Sequence, residues 1–400
     1  MNTPVSKPTL AVFLNAFWVH GKGMSGGDQM AIQIFARIQD SFSALHWFTN
    51  PDGQKAVGQV VKDVAFSTTP DWFDRLPIGL AYILRTLHAT ASLFGRRVDI
   101  VYSGSDFFPD VLPAFLYSRL WRNTRWVQCI FHIYPCWSTR PGSKAVNFSA
   151  ALLQRLSLGL ARHADGVLNI NGEVRDALIA RGFDSRRIAV ITPGVDLDYI
   201  AAAPAGTDQD VYDAVFLGRL NPSKGIFDLP PIWKKVTEQL PFARLAIIGG
   251  GSEAISEKLA VEFEAYGLHD NVDLLGHVET EKIYAILKRA RTFVFPSNEE
   301  GFGIAIVEAM ACGTPVVAWN LPVYKELFGG TITTIPLGNQ QAFAEAIFAL
   351  LRNTKTEANL DVILLAHQRA QCYSWSSVSL DMRFWLLGRG QSIPRVVQSS

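Results

Sequence analysis

The chain has 400 residues, 48% hydrophobic and 18% charged, with 37 Lys+Arg against 36 Asp+Glu and a formal net charge of +1. That length exceeds what one hydrophobic core usually supports, and that composition excludes a disordered chain. The near-neutral balance argues against a nucleic-acid binder, although residues 1–205 carry five surplus positive charges and the remainder four surplus negative ones.

In chain order, the apolar stretch Thr9–Val19 lacks a basic leader beyond Lys7 and a small-residue cleavage site. It therefore reads as a first strand rather than a secretion signal. Strands are expected at Thr9–Leu14, Ala44–Phe48, Val98–Tyr102, Arg125–Phe131, Gly166–Ile170 and Ile188–Ile191. Helices are expected at Gln29–Ile38, Val111–Leu120, Lys144–His163 and Glu173–Ala180. Ser25-Gly26-Gly27-Asp28-Gln29 reads as a loop between the first strand and the first helix. The apolar runs near Leu76–Leu84 and Ala150–Leu160 meet Arg85 and Arg155 short of membrane-spanning length.

Two stretches interleave aromatic and basic residues. Trp72, Phe73, Tyr82 and Phe94 alternate with Arg75, Arg85, Arg96 and Arg97; Tyr117, Trp121 and Trp126 alternate with Arg119, Arg122 and Arg125. Either they form a surface for an anionic membrane or a lipid-linked sugar, or they are core aromatics with solvated arginines. Cys129, Cys136, Cys312 and Cys372 show no C-x2-C spacing, which points to free thiols in a reducing cytoplasm.

Thr192-Pro193-Gly194 ends the first alternation, and Ala201–Asp210 (AAAPAGTDQD) reads as linker. The expected division is a first domain over 1–195, a linker over 196–210, a second domain over 211–375, and a closing helix with tail over 376–400. Second-half strands fall at Ala214–Leu217, Arg244–Ile248, Val272–Leu275, Thr292–Pro296 and Val316–Trp319. Helices fall near Lys234–Leu240, Glu253–Tyr266, Glu281–Arg289, Ile304–Cys312 and Gln341–Leu351. The alternation implies an α/β chain with two parallel sheets covered by helices on both faces.

The chemistry-bearing residues cluster after second-half strands. Gly218-Arg219 through Lys224-Gly225 sets two cations five residues apart in a loop, where they can converge on one anion. Gly249-Gly250-Gly251 allows a close backbone approach, and Leu275-Gly276-His277-Val278 ends another strand. Glu300 lies in a loop and Glu308 about one turn inside the next helix. Backbone N–H groups of Phe302, Gly303 and Ile304 lie between them at a helix N-terminus, a setting that attracts phosphate.

Glu300-x7-Glu308, with its Gly301-Phe302-Gly303 loop and EAMACGTPVVA helix, resembles the retaining nucleotide-sugar glycosyltransferases of group 1 / family 4 type. These have two facing Rossmann-like domains, the GT-B fold, and a C-terminal helix crossing back to the first. Pro193-Gly194-Val195-Asp196 is similar to the turn before the family's second domain, and Tyr373-Ser374-Trp375 to the start of its closing helix. The resemblance implies catalytic roles for Arg219, Lys224, Glu300 and His132. It implies donor contacts at Gly26, Gly27, Gly218, Gly250, Val278, Gly301, Phe302, Gly303, Ile304 and Glu308.

It further implies a nucleoside-diphosphate sugar as donor and a hydroxyl acceptor on a glycan, a lipid-linked sugar or a small molecule, with no cofactor and no metal. Asp196 and Asp198 form a D-x-D by spacing only. Gln29 stands where relatives often carry Glu. A sugar-nucleotide epimerase of the same fold and a non-catalytic nucleotide-sugar binder are the alternatives.

Overall fold

A computed structural model describes residues 7–16, 26–93, 95–134, 144–207, 211–352 and 357–388. Ser25, Phe94, Cys136, the last three residues of the expected linker and the tail from 389 lie outside them. The chain divides into two compact units, Met1–Pro193 with Trp375–Ser400, and Gly194–Ser374.

The first unit holds seven parallel strands: β1 (Thr9–Phe13), β2 (Ala44–Thr49), β3 (Val64–Thr68), β4 (Ile100–Ser103), β5 (Arg125–Cys129), β6 (Gly166–Asn169) and β7 (Ile188–Val190). Their order is β3-β2-β1-β4-β5-β6-β7. Connecting helices are α1 (Gly26–Ile38), α2 (Pro51–Gly58), α3 (Ile78–Leu93), α4 (Phe108–Leu120), α5 (Lys144–Ala161) and α6 (Gly172–Ala180). The inner strands are largely apolar because both faces are covered. On β1, Leu10 and Val12 pack toward Met30, Ile34 and Phe35 of α1. Ala11 and Phe13 pack on the other face with Ala89 of α3 and Val111 and Ala114 of α4.

The second unit begins with α7 (Leu197–Ala202), then β8 (Ala214–Leu217), α8 (Leu229–Gln239), β9 (Leu245–Ile248), α9 (Glu253–Ala265), β10 (Val272–Gly276) and α10 (Thr280–Arg289). It continues with β11 (Thr292–Phe295), α11 (Ile304–Ala311), β12 (Val316–Trp319), α12 (Pro322–Phe328), β13 (Thr333–Ile335), α13 (Gln340–Arg352) and α14 (Glu357–Gln371). Its parallel strands run β10-β9-β8-β11-β12-β13. In each sheet the order reverses beside the first strand. Ligands bind at the carboxyl ends of strands at such a switch point.

The last helix, α15 (Trp375–Leu387), belongs to the first unit. Trp375, Val378, Met382 and Trp385 join the core cluster that contains α1. The Arg125 guanidinium lies 5.3 Å from the Trp385 ring and donates to the Leu386 carbonyl at 2.5 Å. That side chain caps the end of α15 rather than facing solvent.

Several expectations are corrected. The expected linker begins as a helix, α7, rather than as free chain. Asp196 accepts from Tyr199 N–H at 3.0 Å and starts α7, whose Ile200 is buried in the second core. The Asp196-x-Asp198 pair is therefore a helix start. Val195 N–H donates to the Tyr373 carbonyl at 2.8 Å and bridges Ser374, so the chain enters and leaves the second unit side by side. Gly26 and Gly27 lie in the first turn of α1 and not in a loop. Strands β3 and β13 and helices α2, α3, α7, α12 and α14 were not expected.

In the aromatic–basic stretches several rings are core and most of the arginines are exposed. Phe73, Tyr117 and Trp126 are buried, and Arg85 is buried against Asp74 and the Asn15 carbonyl. Large rings contribute most by leaving water, and that outweighs their proximity in sequence to arginines. Among the described aromatics named there, Trp72 alone is more than half exposed.

Candidate functional site

The switch point of the second sheet is built from the loops following β8 and β11. Asn221 accepts from Ser223 N–H at 2.9 Å and folds Pro222–Lys224 into a single tight turn. Gly225 follows in the left-handed region, φ 67°. A Cβ there would stand 1.7 Å from the Pro296 carbonyl oxygen, so only glycine lets the turn lie against the β11 loop. Asn298 N–H donates to the Ser223 carbonyl at 2.9 Å and joins the two loops.

This contact brings together residues 76 apart in sequence. Lys224 Nζ lies 2.5 Å from Glu300 Oε1, with the two side chains 19% and 10% exposed. The Ser297 hydroxyl lies 2.9 Å from the same carboxylate oxygen. Arg219 is exposed and makes no hydrogen bond or ion pair with the described residues. The site thus holds one cation tied to a carboxylate and a second on the surface.

Gly303, at φ 92°, ends the loop and precedes α11. The backbone N–H groups of Phe302, Gly303 and Ile304 donate to no acceptor among the described residues, as the first turn of a helix requires. The Phe302 side chain is buried, its ring 5.2 Å from that of Tyr373, so only its backbone is available to a ligand. Glu308, half-buried on α11, accepts from the Tyr284 hydroxyl of α10 at 2.9 Å. Burial pushes its carboxyl up to about 7, with the Tyr284 bond pulling the other way. Burial and then the Glu308 charge drive the Tyr284 phenol upward.

The remaining expected residues of this unit surround the same strand ends. Leu220 N–H donates to the Gly250 carbonyl at 2.9 Å, and a Cβ on Gly249 would meet the Gly218 carbonyl oxygen at 1.8 Å. The glycine triplet therefore serves first to let the β8 and β9 loops touch. Gly250 itself is open to solvent. Val278, half-buried, packs on the core beyond β10.

In the first unit, the switch point between β1 and β4 holds a cavity of about 200 Å³ lined by Gly27, Asp28, Ser105, Asp106, His132 and Gln154, among others. Gly27 leaves room for the Phe131 ring, which a Cβ would approach to 2.6 Å. Gly26 stands beside it with nothing near its Cβ position. His132 is exposed, its ring 5.6 Å from Tyr134.

Gln154 of α5 fixes one side of this cavity. It donates to Asp106 Oδ2 at 2.7 Å and to the His132 carbonyl at 2.9 Å, and it accepts from Tyr134 N–H at 2.9 Å. Burial raises the Asp106 carboxyl, and Gln154 partly offsets it. Asp106, Gln154 and Tyr284 were missed from sequence because each lies in an ordinary helix or loop with no motif around it.

Residues 202–362 match the family description "Glycosyl transferases group 1", and residues 42–199 match "Glycosyltransferase Family 4". The phosphatidyl-myo-inositol mannosyltransferase of Mycobacterium leprae is 30% identical over 313 residues, covering 71% of this chain and 80% of that protein. The chain belongs to the group 1 / family 4 glycosyltransferases. It is accordingly an enzyme, which sets aside the binding-only alternative, and a transferase rather than an epimerase.

The D-inositol 3-phosphate glycosyltransferase of Mycobacteroides abscessus is 31% identical over 226 residues, 53% of this chain. The match spans about half (49%) of that relative's length. Among solved structures, Anabaena HepE in complex with UDP and glucose aligns with a TM-score of 0.72 at 19% identity, covering 95% of this chain and all of that one. That likeness bears on the fold, and it agrees with two Rossmann-like units of the GT-B class.

Proposed function

We propose that this glycosyltransferase moves a sugar from a nucleoside-diphosphate sugar to a hydroxyl acceptor with retention of anomeric configuration. The observation that carries the reading is the convergence of Lys224, Glu300 and the unbonded N–H groups of Phe302–Ile304 at one switch point. When the bond from C1 to the diphosphate breaks, negative charge grows on the β-phosphate oxygen. Arg219, Lys224 and the α11 N-terminus meet it, a contribution larger in the transition state than in the ground state. This design assigns the charge to side chains and backbone rather than to a metal.

The two carboxylates take neutral hydroxyls. Glu308 accepts from the ribose diol and Glu300 from the transferred sugar. The acceptor oxygen attacks C1 from the face the diphosphate leaves, and its proton passes to the departing phosphate oxygen. No side chain is assigned as covalent nucleophile. His132 lines the cavity of the first unit, which takes the acceptor.

Asp28, Asp106 and Gln154 suit a hydroxyl-rich group there. The two curated relatives are named for inositol-bearing substrates, which agrees in chemistry. A glycan, a lipid-linked sugar and a small polyol all present such groups. Free thiols at Cys129, Cys312 and Cys372 suit a cytoplasmic setting.

The test is turnover with UDP-, GDP- and ADP-sugars against a panel of hydroxylated acceptors, with the product anomer read by proton NMR. The reading expects the donor's configuration in the product and activity that survives EDTA. An inverted product, or activity abolished by chelator and restored by Mg²⁺, would overturn the mechanism while leaving the family intact.

A further inference from the structure

We infer that the outward face of α3, α4 and α5 in the first unit is a docking surface for an anionic lipid bilayer. Helix α3 is inside-out for a surface helix: besides Gly79 in its first turn, its exposed positions among the described side chains are Leu80, Ile83, Leu87 and Ala91, at helical spacing. Ile83 and Leu87 are 58% and 61% exposed. Its one charged residue, Arg85, points inward and is buried.

Its neighbour α4 adds exposed Leu116 and Leu120, and α5 adds Phe148, Leu152 and Leu156 four residues apart. The three helices pack side by side, α3 on α4 and α4 on α5. Soluble monomers rarely expose an apolar face continuous over several helices.

Charge selects the partner. Across α3, α4 and α5 the only acid is Asp110, which is fully buried. The exposed charges on them are Lys144, Arg119 and Arg155, and Arg122 and Arg162 follow directly. Exposed leucines elsewhere are different. Leu380 and Phe384 of α15 sit among Asp381 and Arg383, and Leu360 of α14 sits beside Asp361. Three helices whose own exposed charges are all basic, with exposed Asp71 in the turn before α3 as the nearby acid, fit lipid tails under anionic headgroups.

The mode is interfacial, since no helix of the described residues is long and apolar enough to cross a membrane. Helix α5 also buries Gln154 beneath the polar cavity, so one helix serves lipid on one side and that cavity on the other. The docking itself does not rest on the acceptor assignment.

The experiment is flotation of the full chain with vesicles of phosphatidylcholine alone and of phosphatidylcholine with phosphatidylglycerol in equal parts. Wild type should bind the anionic vesicles, and less so as salt rises. Ile83→Gln/Leu87→Gln/Leu152→Gln/Leu156→Gln should bind on the order of tenfold more weakly or worse, with an unchanged melting temperature. Arg119→Gln/Arg155→Gln should weaken binding about fivefold or more per charge at low salt.

Absence of wild-type binding at low salt would overturn the proposal. So would binding that survives the fourfold variant, or a dimer in light scattering that the same variant dissociates. Nucleotide binding in the same samples reports separately on the donor site.

Discussion

Tyr284 on α10 donates its hydroxyl to Glu308 on α11 at 2.9 Å, opposing the burial that lifts this carboxyl to about 7. If ionised Glu308 holds the ribose diol, affinity for a UDP-sugar should rise as pH increases through about 7 and level off above it. A UDP-sugar is the right probe because its diphosphate does not titrate there. Tyr284→Phe removes a bond that favours the charged form, so the midpoint should move up. Glu308→Gln should bind weakly and show no midpoint. Calorimetric titration across pH checks all three.

The same group has a stability consequence of defined sign. Its folded value lies above its ordinary one, so the folded chain holds that proton more tightly than the unfolded chain. The resulting contribution is fully present below the ordinary carboxylate range and is lost as pH rises through about 7. Glu308→Gln should flatten the melting-temperature profile over that window. An unchanged profile would mean that the carboxyl titrates normally.

Arg219 and Lys224 should separate in stability but not in turnover. Alanine at either should lower kcat on the order of 10²–10³-fold, as for loss of one preorganised donor. Arg219 has no partner to abandon among the described residues, so its variant should melt like wild type. Lys224→Ala leaves Glu300, 10% exposed, without its cation, at a cost of about 1–3 kcal/mol. Lys224→Met/Glu300→Gln should recover much of that stability without recovering activity.

Gly225→Ala tests the loop junction. A left-handed non-glycine costs about 1–3 kcal/mol, and the new Cβ would also collide with the Pro296 carbonyl at 1.7 Å. The turn carrying Lys224 must then move away from Glu300. We expect a lower melting temperature together with a fall in kcat. Full activity in this variant would show that the Lys224–Glu300 contact is dispensable.

In the first unit, Asp106→Asn should raise KM for the acceptor about tenfold or more and leave donor affinity unchanged, because its carboxylate is assigned to acceptor hydroxyls. Loss of donor affinity instead would place this cavity on the donor path.

Much of the fold was legible because buried parallel strands read as short apolar runs, as with TLAVF in β1 and TFVF in β11. Edge strands β3 and β13 escaped because they are only partly buried and carry Thr and Ser among their apolar residues. Helix α3 escaped for the opposite reason. Its outward leucines erase the polar stripe that marks a surface helix. The membrane expectation rested in part on rings that proved to be core, Phe73, Tyr117 and Trp126, while the exposed face consists mainly of leucines.

The two glutamates were visible through their spacing within one strand–loop–helix. The Lys224–Glu300 pair was not, because strand order alone sets those loops side by side.

The most direct measurement is binding of nucleoside-diphosphate sugars to the full chain, wild type against Glu308→Ala and Glu300→Ala, by calorimetry with kcat measured on the same preparations. The account predicts tight binding of one nucleotide class by wild type, strong loss of affinity in Glu308→Ala, and near-normal affinity with lost turnover in Glu300→Ala. Equal loss of affinity in both variants, or no binding of any UDP-, GDP- or ADP-sugar by wild type, would contradict it.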